Sequence, residues 1–445
     1  MDSPKALSFR IMARLPIMTI PEEEIGISVY WTKDVPGIGG RLKTLPEDFI
    51  VEEISLFPAE NPEGELSAAV VRHRNWEMNR LVRRLSTNLR VSRNSISFAG
   101  TKDKRSVATQ LMTFRVPLEA LATVQIPDVE FLSMYRTNTP VKLGNLLGNR
   151  FRIVIRDVLC EDRENRMRLV DEALRSLGGF PNFFGIQRFG VTRPVTHTIG
   201  RAMVRGDFEE AVMLYLAYET EYESPDFQKA RRFVGETRDF KKALSIFPKE
   251  MTFERMLLGH LSRRPDDFSG ALKMLPRNLV MMFVHAYQSY LFNRILSTRI
   301  ERGLPLNSAV EGDIVLPLDK HGLPDHRRCI QVTRENIRMV NEQIAANKGF
   351  VSGSLFGSNP AIAEGEMGEI EHGIISAEKL ESEDFIVPDI IQASSRGMRR
   401  ELLSRIRGFA RSSDESGELF TFELNKGCYA TSLLREYMKA PLLSY

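Results

Sequence analysis

From Val107 to Phe114 the residues alternate, with Val107, Thr109, Leu111 and Thr113 on one side and Ala108, Gln110, Met112 and Phe114 on the other. A period of two is the signature of a strand. Just upstream, Ile96 and Phe98 read as the end of a buried strand, and Gly100 marks a tight turn. Asp103 is therefore predicted on a short connection between two strands, flanked by Lys102, Lys104 and Arg105. Cations around one carboxylate favour its ionised form and attract polyanions. That arrangement suits a nucleophile or base acting on a phosphate-bearing substrate. A polar hairpin charged for solubility fits the same residue types, because charged turns are common.

Charge along the chain favours the first reading. The net charge of +3 says little, but residues 70–105 hold ten Lys/Arg against two acids, Glu77 and Asp103. Such a local excess implies a dedicated polyanion face. With 445 residues the chain is too long for one ordinary core, so two domains are expected. Cys160, Cys329 and Cys428 are far apart and match no zinc or paired-thiol spacing, so no disulfide framework is expected and a reducing cytoplasm is the natural compartment; with no recognisable redox, nucleotide or metal motif, no metal or cofactor is expected. Lys5, Arg10 and Arg14 interrupt the apolar residues of the N-terminus, which is not expected to act as a signal peptide. No stretch approaches 18 uninterrupted apolar residues, so no membrane span is expected. The most apolar segment, Leu279 to Phe292, is broken by His285, Gln288 and Ser289.

Taken in order, residues 1–40 are weakly patterned. Arg41 to Glu53 then reads as a strand, a break at Pro46 and a second strand, with Lys43 just before the break and Phe49 just after it. On residue type alone Lys43 is a solvated lysine. Residues 69–74 read as a strand, and Asn75 to Leu89 as a helix with Leu81, Leu85 and Leu89 on one stripe. Arg80, Arg83 and Arg84 lie on its other faces, either as a wet surface or as phosphate contacts for RNA or DNA; their place just ahead of Asp103 favours the contacts. Gly148 to Arg156 is an alternating strand with Phe151, Ile153 and Ile155 on one face, followed by a helix from about Glu164 to Leu177 that Gly178-Gly179 ends. Gly179 to Gly190 is poor helix and poor strand. The three aromatics of its last nine residues, 182–190, either form a small core, the reading that suits Phe183 and Phe189, or offer stacking surfaces for bases. From about 203 to 395 helical patterns dominate, and residues 361–385 carry eight acids against Lys379 alone. After residue 395 the mixed strand-and-helix pattern returns, with a strand at Leu419–Leu424 and a helix at Ala430–Met438.

Seven stretches, in order, resemble the TruD family of tRNA pseudouridine synthases. They are Pro46-Glu-Asp-Phe-Ile-Val-Glu52, Ala99-Gly-Thr-Lys-Asp-Lys-Arg105 with Gln110, Gly148-Asn-Arg-Phe151, Asn182-Phe-Phe-Gly-Ile-Gln-Arg-Phe-Gly190, Ala286-Tyr-Gln-Ser-Tyr-Leu-Phe-Asn293, Glu311-Gly-Asp313, and Lys426-Gly-Cys-Tyr-Ala-Thr431 with Leu434-Arg-Glu436. The resemblance implies an α+β fold. Its catalytic domain has a mixed, mainly antiparallel sheet flanked by helices, and is interrupted by a mostly helical insertion. Residues 1–202 and 396–445 would form the catalytic domain and 203–395 the insertion, whose length is similar to that of archaeal and eukaryotic members.

The resemblance also implies roles. Asp103 would be catalytic and Lys43 its ionic partner. Phe184 would stack on the target uracil with Asn182 beside it, and Phe49 and Tyr429 would line the pocket. Lys102, Arg105, Arg80, Arg83 and Arg84 are the candidate RNA contacts. Relatives carry phenylalanine at the Tyr429 position in some cases, so no role of its hydroxyl is carried over. Relatives often have Asn-Thr where this chain has Glu77-Met-Asn79, which bears on helix capping and local RNA contacts. The implied reaction is isomerisation of uridine to pseudouridine, at position 13 of tRNA, by a monomer without cofactor. It breaks the N1–C1′ bond and joins C5 to C1′, with no electrons exchanged and no group lost. Attack of a carboxylate on C1′ and removal of a proton from C2′ both fit. The target base must leave its helix to be reached. A same-family synthase acting on other or several RNAs, or a catalytically silent RNA-folding protein on the same scaffold, would share much of this pattern.

Overall fold

Period-two alternation and helical stripes translate into one large sheet with helices on one face. The computed structural model describes residues 21–415 and 417–445; the leading residues 1–20, with Lys5, Arg10, Arg14 and the start of the expected first catalytic segment, lie outside them. The first half of the sheet comes from β1 (Phe49–Ser55), β2 (Leu66–Arg74), β3 (Ile96–Phe98), β4 (Val107–Phe114), β5 (Val129–Thr137) and β6 (Leu146–Ile155). Helices α1 (Met78–Asn88), α2 (Leu118–Ala122) and α3 (Arg163–Leu177) lie between or after them. Helix α3 stops where expected, because Gly178 takes the left-handed conformation at φ +80°.

Two expectations shift at their edges. Arg41–Thr44 is not a strand: Arg41 makes a single bridge to Arg156, and Pro46–Asp48 is a 3-10 turn whose Asp48 carboxylate accepts the Leu45 N–H at 2.7 Å. Helix α1 begins at Met78 rather than Asn75, which has a φ of 57°. The Glu77 carboxylate caps α1 by accepting the N–H groups of Asn79 and Arg80.

The middle of the chain is largely helical, as its residue pattern suggested. A two-residue strand β7 (Phe180–Pro181) leads into α4 (Thr196–Val204), α5 (Phe208–Ala217), α6 (Pro225–Thr237), α7 (Phe240–Ile246), α8 (Thr252–Leu261), α9 (Phe268–Lys273) and α10 (Arg277–Glu301). A small sheet follows, from β8 (Ile314–Pro317), β9 (Ile330–Gln331), β10 (Gly349–Leu355) and β11 (Met398–Glu401), with α11 (Ile337–Ala345) and α12 (Gly365–Ala377) beside it. Helix α10 is buried through most of its length, and several of its polar residues bond to neighbouring loops. Asn293 donates to the carbonyls of Ile25 and Phe184 and accepts the Phe184 N–H, while Gln288 donates to Phe356 O. Gln288, a polar break in the apolar segment, and Asn293 just after it thus pin the chain around the helix. Gly200 on α4 lets α10 come close, since a Cβ there would stand 2.0 Å from Phe283 O. Among the described residues no helix is long and apolar enough to cross a membrane.

The chain returns through β12 (Leu403–Ser404), which pairs with β7, to β13 (Arg407–Asp414), β14 (Gly417–Asn425) and α13 (Ala430–Met438). The large sheet has the order β13-β14-β6-β1-β4-β2-β5, with β3 paired to β4. It is antiparallel throughout except for β1 with β4, which run parallel. Register places Phe49, Ile153 and Phe420 in one row, Val51, Phe151 and Phe422 in the next, and Glu53, Asn149 and Leu424 in a third. Helices α3 and α13 cover the first two rows with Val170, Leu174, Leu433 and Leu434. The opposite face is polar there, with Arg150 paired to Glu52 and Glu423. The third row, beyond the apolar cover, is where a cleft opens.

Candidate active site

Residues 99–106 connect β3 to β4 and carry Asp103. The loop is braced at its end: Ser106 Oγ donates to Asp103 O at 2.6 Å, and the Asn75 N–H, from the turn ahead of α1, to Ser106 O at 2.9 Å. Across from it, Lys43 adopts a left-handed backbone at φ 54°, which costs a non-glycine residue about 1 kcal/mol. That turn aims the ammonium at the loop. Lys43 Nζ lies 2.8 Å from Asp103 Oδ2 and 4.6 Å from the centre of the Phe49 ring. Arg105 donates to Thr44 O at 2.9 Å and so ties the Asp103 loop to the Lys43 turn. Lys43 is nearly enclosed, whereas the Asp103 side chain is 39% exposed. The carboxylate is held by a cation and still open to a reactant.

The opening is a cleft of about 160 Å³ whose walls include Phe49, Thr101, Lys102, Asp103, Asn149, Phe151, Gln187, Cys428, Tyr429 and Thr431. Four of these are residues that the sequence singles out for the site: Phe49, Lys102, Asp103 and Tyr429. The others stand in the seven motifs without a role of their own. Lys102 is not a free cation. Its ammonium is 2.7 Å from Glu53 Oε2, and both side chains are almost wholly buried. Sequence reasoning misses Glu53, although β1 periodicity places it on the same face as Phe49 and Val51. Burial, with the nearby Glu401 carboxylate, pushes the Cys428 thiol up to about 12, so it stays protonated. Asn149 Oδ1 and Gln187 Nε2 are buried and lack hydrogen-bond partners among the described residues.

Phe184 and Asn182 lie behind this wall. Phe184 is 4% exposed, with Tyr429 edge-on at 5.8 Å, Phe292 at 5.6 Å and the Arg400 guanidinium 4.1 Å from its ring centre. Of these two rings Tyr429 lines the cleft, and Phe184 packs against it from behind the wall. Asn182 is fully buried. Its amide donates to Glu401 O and Oε1 and accepts from Arg400 Nη2 at 2.8 Å. The short β7–β12 pairing brings these groups together. Phe183 and Phe189 are core residues, as their setting suggested.

The basic band divides in two. Arg72 pairs with Glu130 at 3.3 Å and Arg74 with Glu47 at 2.5 Å. Arg80, Arg83 and Arg84 stand exposed on α1, opposite the buried Leu81 and Leu85.

Comparison with known proteins adds the family. The model of tRNA pseudouridine synthase D (TruD) matches residues 24–437. The chain is 43% identical over 427 residues to the "Probable tRNA pseudouridine synthase D" of Methanococcoides burtonii, covering 94% of this chain and 97% of that protein. The protein of the same name from Pyrococcus abyssi is 40% identical over 411 residues, with 92% and 98% covered. A crystal structure described as putative tRNA pseudouridine synthase D from Methanosarcina mazei superposes with a TM-score of 0.80 at 40% identity, covering 96% of this chain and 100% of that one. By sequence over nearly its whole length, and by fold, the chain belongs to the TruD family of tRNA pseudouridine synthases.

Proposed function

We propose that the protein isomerises uridine to pseudouridine in tRNA, at position 13, acting as a cytoplasmic monomer. The observation that carries this reading is the Lys43–Asp103 pair, 2.8 Å apart at the mouth of a cleft, on a loop whose end is bonded to Asn75 in the turn that leads into the arginine-bearing helix. Asp103 is the reacting carboxylate and Lys43 holds its orientation. Phe49 and Tyr429 bound the base pocket. Phe184 stacks on the uracil once Tyr429 yields, and Asn182 steadies Arg400 against the Phe184 ring. Lys102, locked to Glu53, fixes the loop beside Asp103, and Arg80, Arg83, Arg84 and Arg105 form the RNA side. Residues 1–202 and 396–445 act as one catalytic domain, with 203–395 as an insertion in it. The choice of position 13 rests on the family resemblance.

A single tRNA transcript with every new pseudouridine mapped tests the reading. The parent forms product at position 13. Asp103→Asn forms none yet binds the tRNA with an affinity within about twofold, since one neutralised acid removes no phosphate contact. Lys43→Met slows turnover by about 100-fold, because charge-assisted positioning of this kind is worth two to three powers of ten. Product from Asp103→Asn at parental rate would overturn the assignment. Product at other positions alone would move the target but not the chemistry.

A further inference from the structure

The cleft contains two carboxamides that the folded protein leaves unfinished. Gln187 Oε1 accepts the Thr431 hydroxyl at 3.2 Å, while its Nε2 is buried with no partner among the described residues. Asn149 sits in the third row of the sheet between Glu53 and Leu424, and its Oδ1 is buried and unpartnered in the same way. Buried polar atoms left without partners are uncommon, because each costs free energy. Here both are on the wall that also carries Asp103. From this juxtaposition we infer that Asn149 and Gln187 hold the hydrogen-bonding edge of the target uracil, before and after the base turns over.

The chemistry of the base fits the pair. Uracil presents an acceptor, a donor and an acceptor in a row: O2, N3–H and O4. A carboxamide offers one donor and one acceptor side by side in either orientation of its amide. Asn149 therefore takes N3–H and one carbonyl, and Gln187 Nε2 donates to the other carbonyl. Isomerisation requires a half-turn of the detached base about its N3–C6 axis, so that C5 replaces N1 at C1′. That rotation exchanges O2 with O4 and returns N3–H to its place. A site with one acceptor for N3–H between two carbonyl donors is matched equally to both orientations. It holds the base beside the reacting carboxylate and opposes its escape. This inference rests on the synthase reading above, and it adds the residues that recognise the base.

The test is a comparison of substrates. Single-turnover rates are measured with enzyme in excess, on tRNA carrying uridine or 3-methyluridine at the modified position. The methyl group removes the N3–H donor. On the parent it slows the reaction by about 100-fold, the penalty expected when a site built for a hydrogen bond loses its partner. Asn149→Ala is slower by a similar factor on uridine, and on it the methyl group costs less than about threefold. Asn149→Leu, which keeps the volume, gives the same insensitivity if the alanine variant fails to fold. Gln187→Ala loses about 10-fold on uridine and retains the full methyl penalty. Both positions leave tRNA affinity within about twofold. Equal methyl penalties in the parent and the Asn149 variants, or a parental rate from Gln187→Ala, would overturn the inference alone. A parent that makes no pseudouridine in any tRNA would overturn the synthase reading and this one with it.

Discussion

Asp103, which lines the cleft, and Glu53, buried behind its wall, are neighbouring carboxylates with opposite settings. Asp103 keeps one cation and a water-facing side, while Glu53 is sealed against Lys102 at 2.7 Å. A buried ion pair contributes little net stability, yet breaking one half strands the other charge. Glu53→Ala is therefore expected to lower unfolding stability by about 3 kcal/mol. Glu53→Ala with Lys102→Ala should recover part of that loss, because no charge is then stranded. Urea denaturation of the two variants checks this, and a double variant less stable than Glu53→Ala would refute it. The contrast also explains what was legible. Asp103 stood out because it is the one acid in a run of cations. Lys43 was visible only through family resemblance, since its role depends on a left-handed turn that no periodicity reports. Strand alternation puts Asn149 on the inward face of Phe151 and Ile153 without marking a cleft there, and Gln187 stands in a stretch with no repeat at all.

At the scale of elements, α1 is the clearest case of sequence dictating structure and the least settled by it. Its leucine stripe fixes the buried face, so Arg80, Arg83 and Arg84 must point outward, and they do. Whether an outward face meets RNA or only water is a question of partner, not of folding. Each phosphate contact releases counterions, so each arginine removed flattens the dependence of log affinity on log salt by about one unit. The triple alanine variant is expected to lose about 2–3 units of slope. Its unfolding temperature should hold, because alanine is the better helix former. A slope unchanged within error would show that this face is merely solvated. The stretch that sequence misjudged is a short one, and the stretch without a pattern is held from outside. Arg41–Thr44 became a turn because Asp48 captures the Leu45 N–H, and Gly179–Gly190 is ordered by side chains from α10 and α13 rather than by its own repeat.

For the whole molecule, the last strand is the one that closes the sheet. β14 lies between β13 and β6 and pairs with β6 at eight consecutive positions, from Glu418 with Ile155 to Asn425 with Gly148. α13 then reaches back to the start of the described chain. The Glu436 carboxylate accepts the N–H groups of Trp31 and Thr32, and Arg435 pairs with Glu22 at 2.6 Å. The same segment supplies Cys428, Tyr429 and Thr431 to the cleft. The division expected at residue 396 is therefore proposed with one refinement: β11 (398–401) pairs with β10, and Arg399 is buried against Glu371 at 2.7 Å, so those residues serve the middle sheet before the chain crosses back. Sequence could not place that crossing, because Met398-Arg-Arg-Glu401 looks like surface and is neutralised by a partner 28 residues away. A fragment ending at residue 395 loses Phe420, Phe422, Leu424, Leu433, Leu434 and Met438, all at or below 1% exposure. Each buried side chain of that size stabilises by about 2 kcal/mol, and the sum matches the net stability of a typical domain, about 5–15 kcal/mol. The fragment is thus expected to leave β6 with an open edge, to expose Phe151 and Ile153, and to show neither a cooperative unfolding transition of the large sheet nor pseudouridine formation. Circular dichroism melting and tRNA assays of residues 1–395 decide it. A folded, active fragment would mean that the last fifty residues decorate the catalytic region instead of completing it.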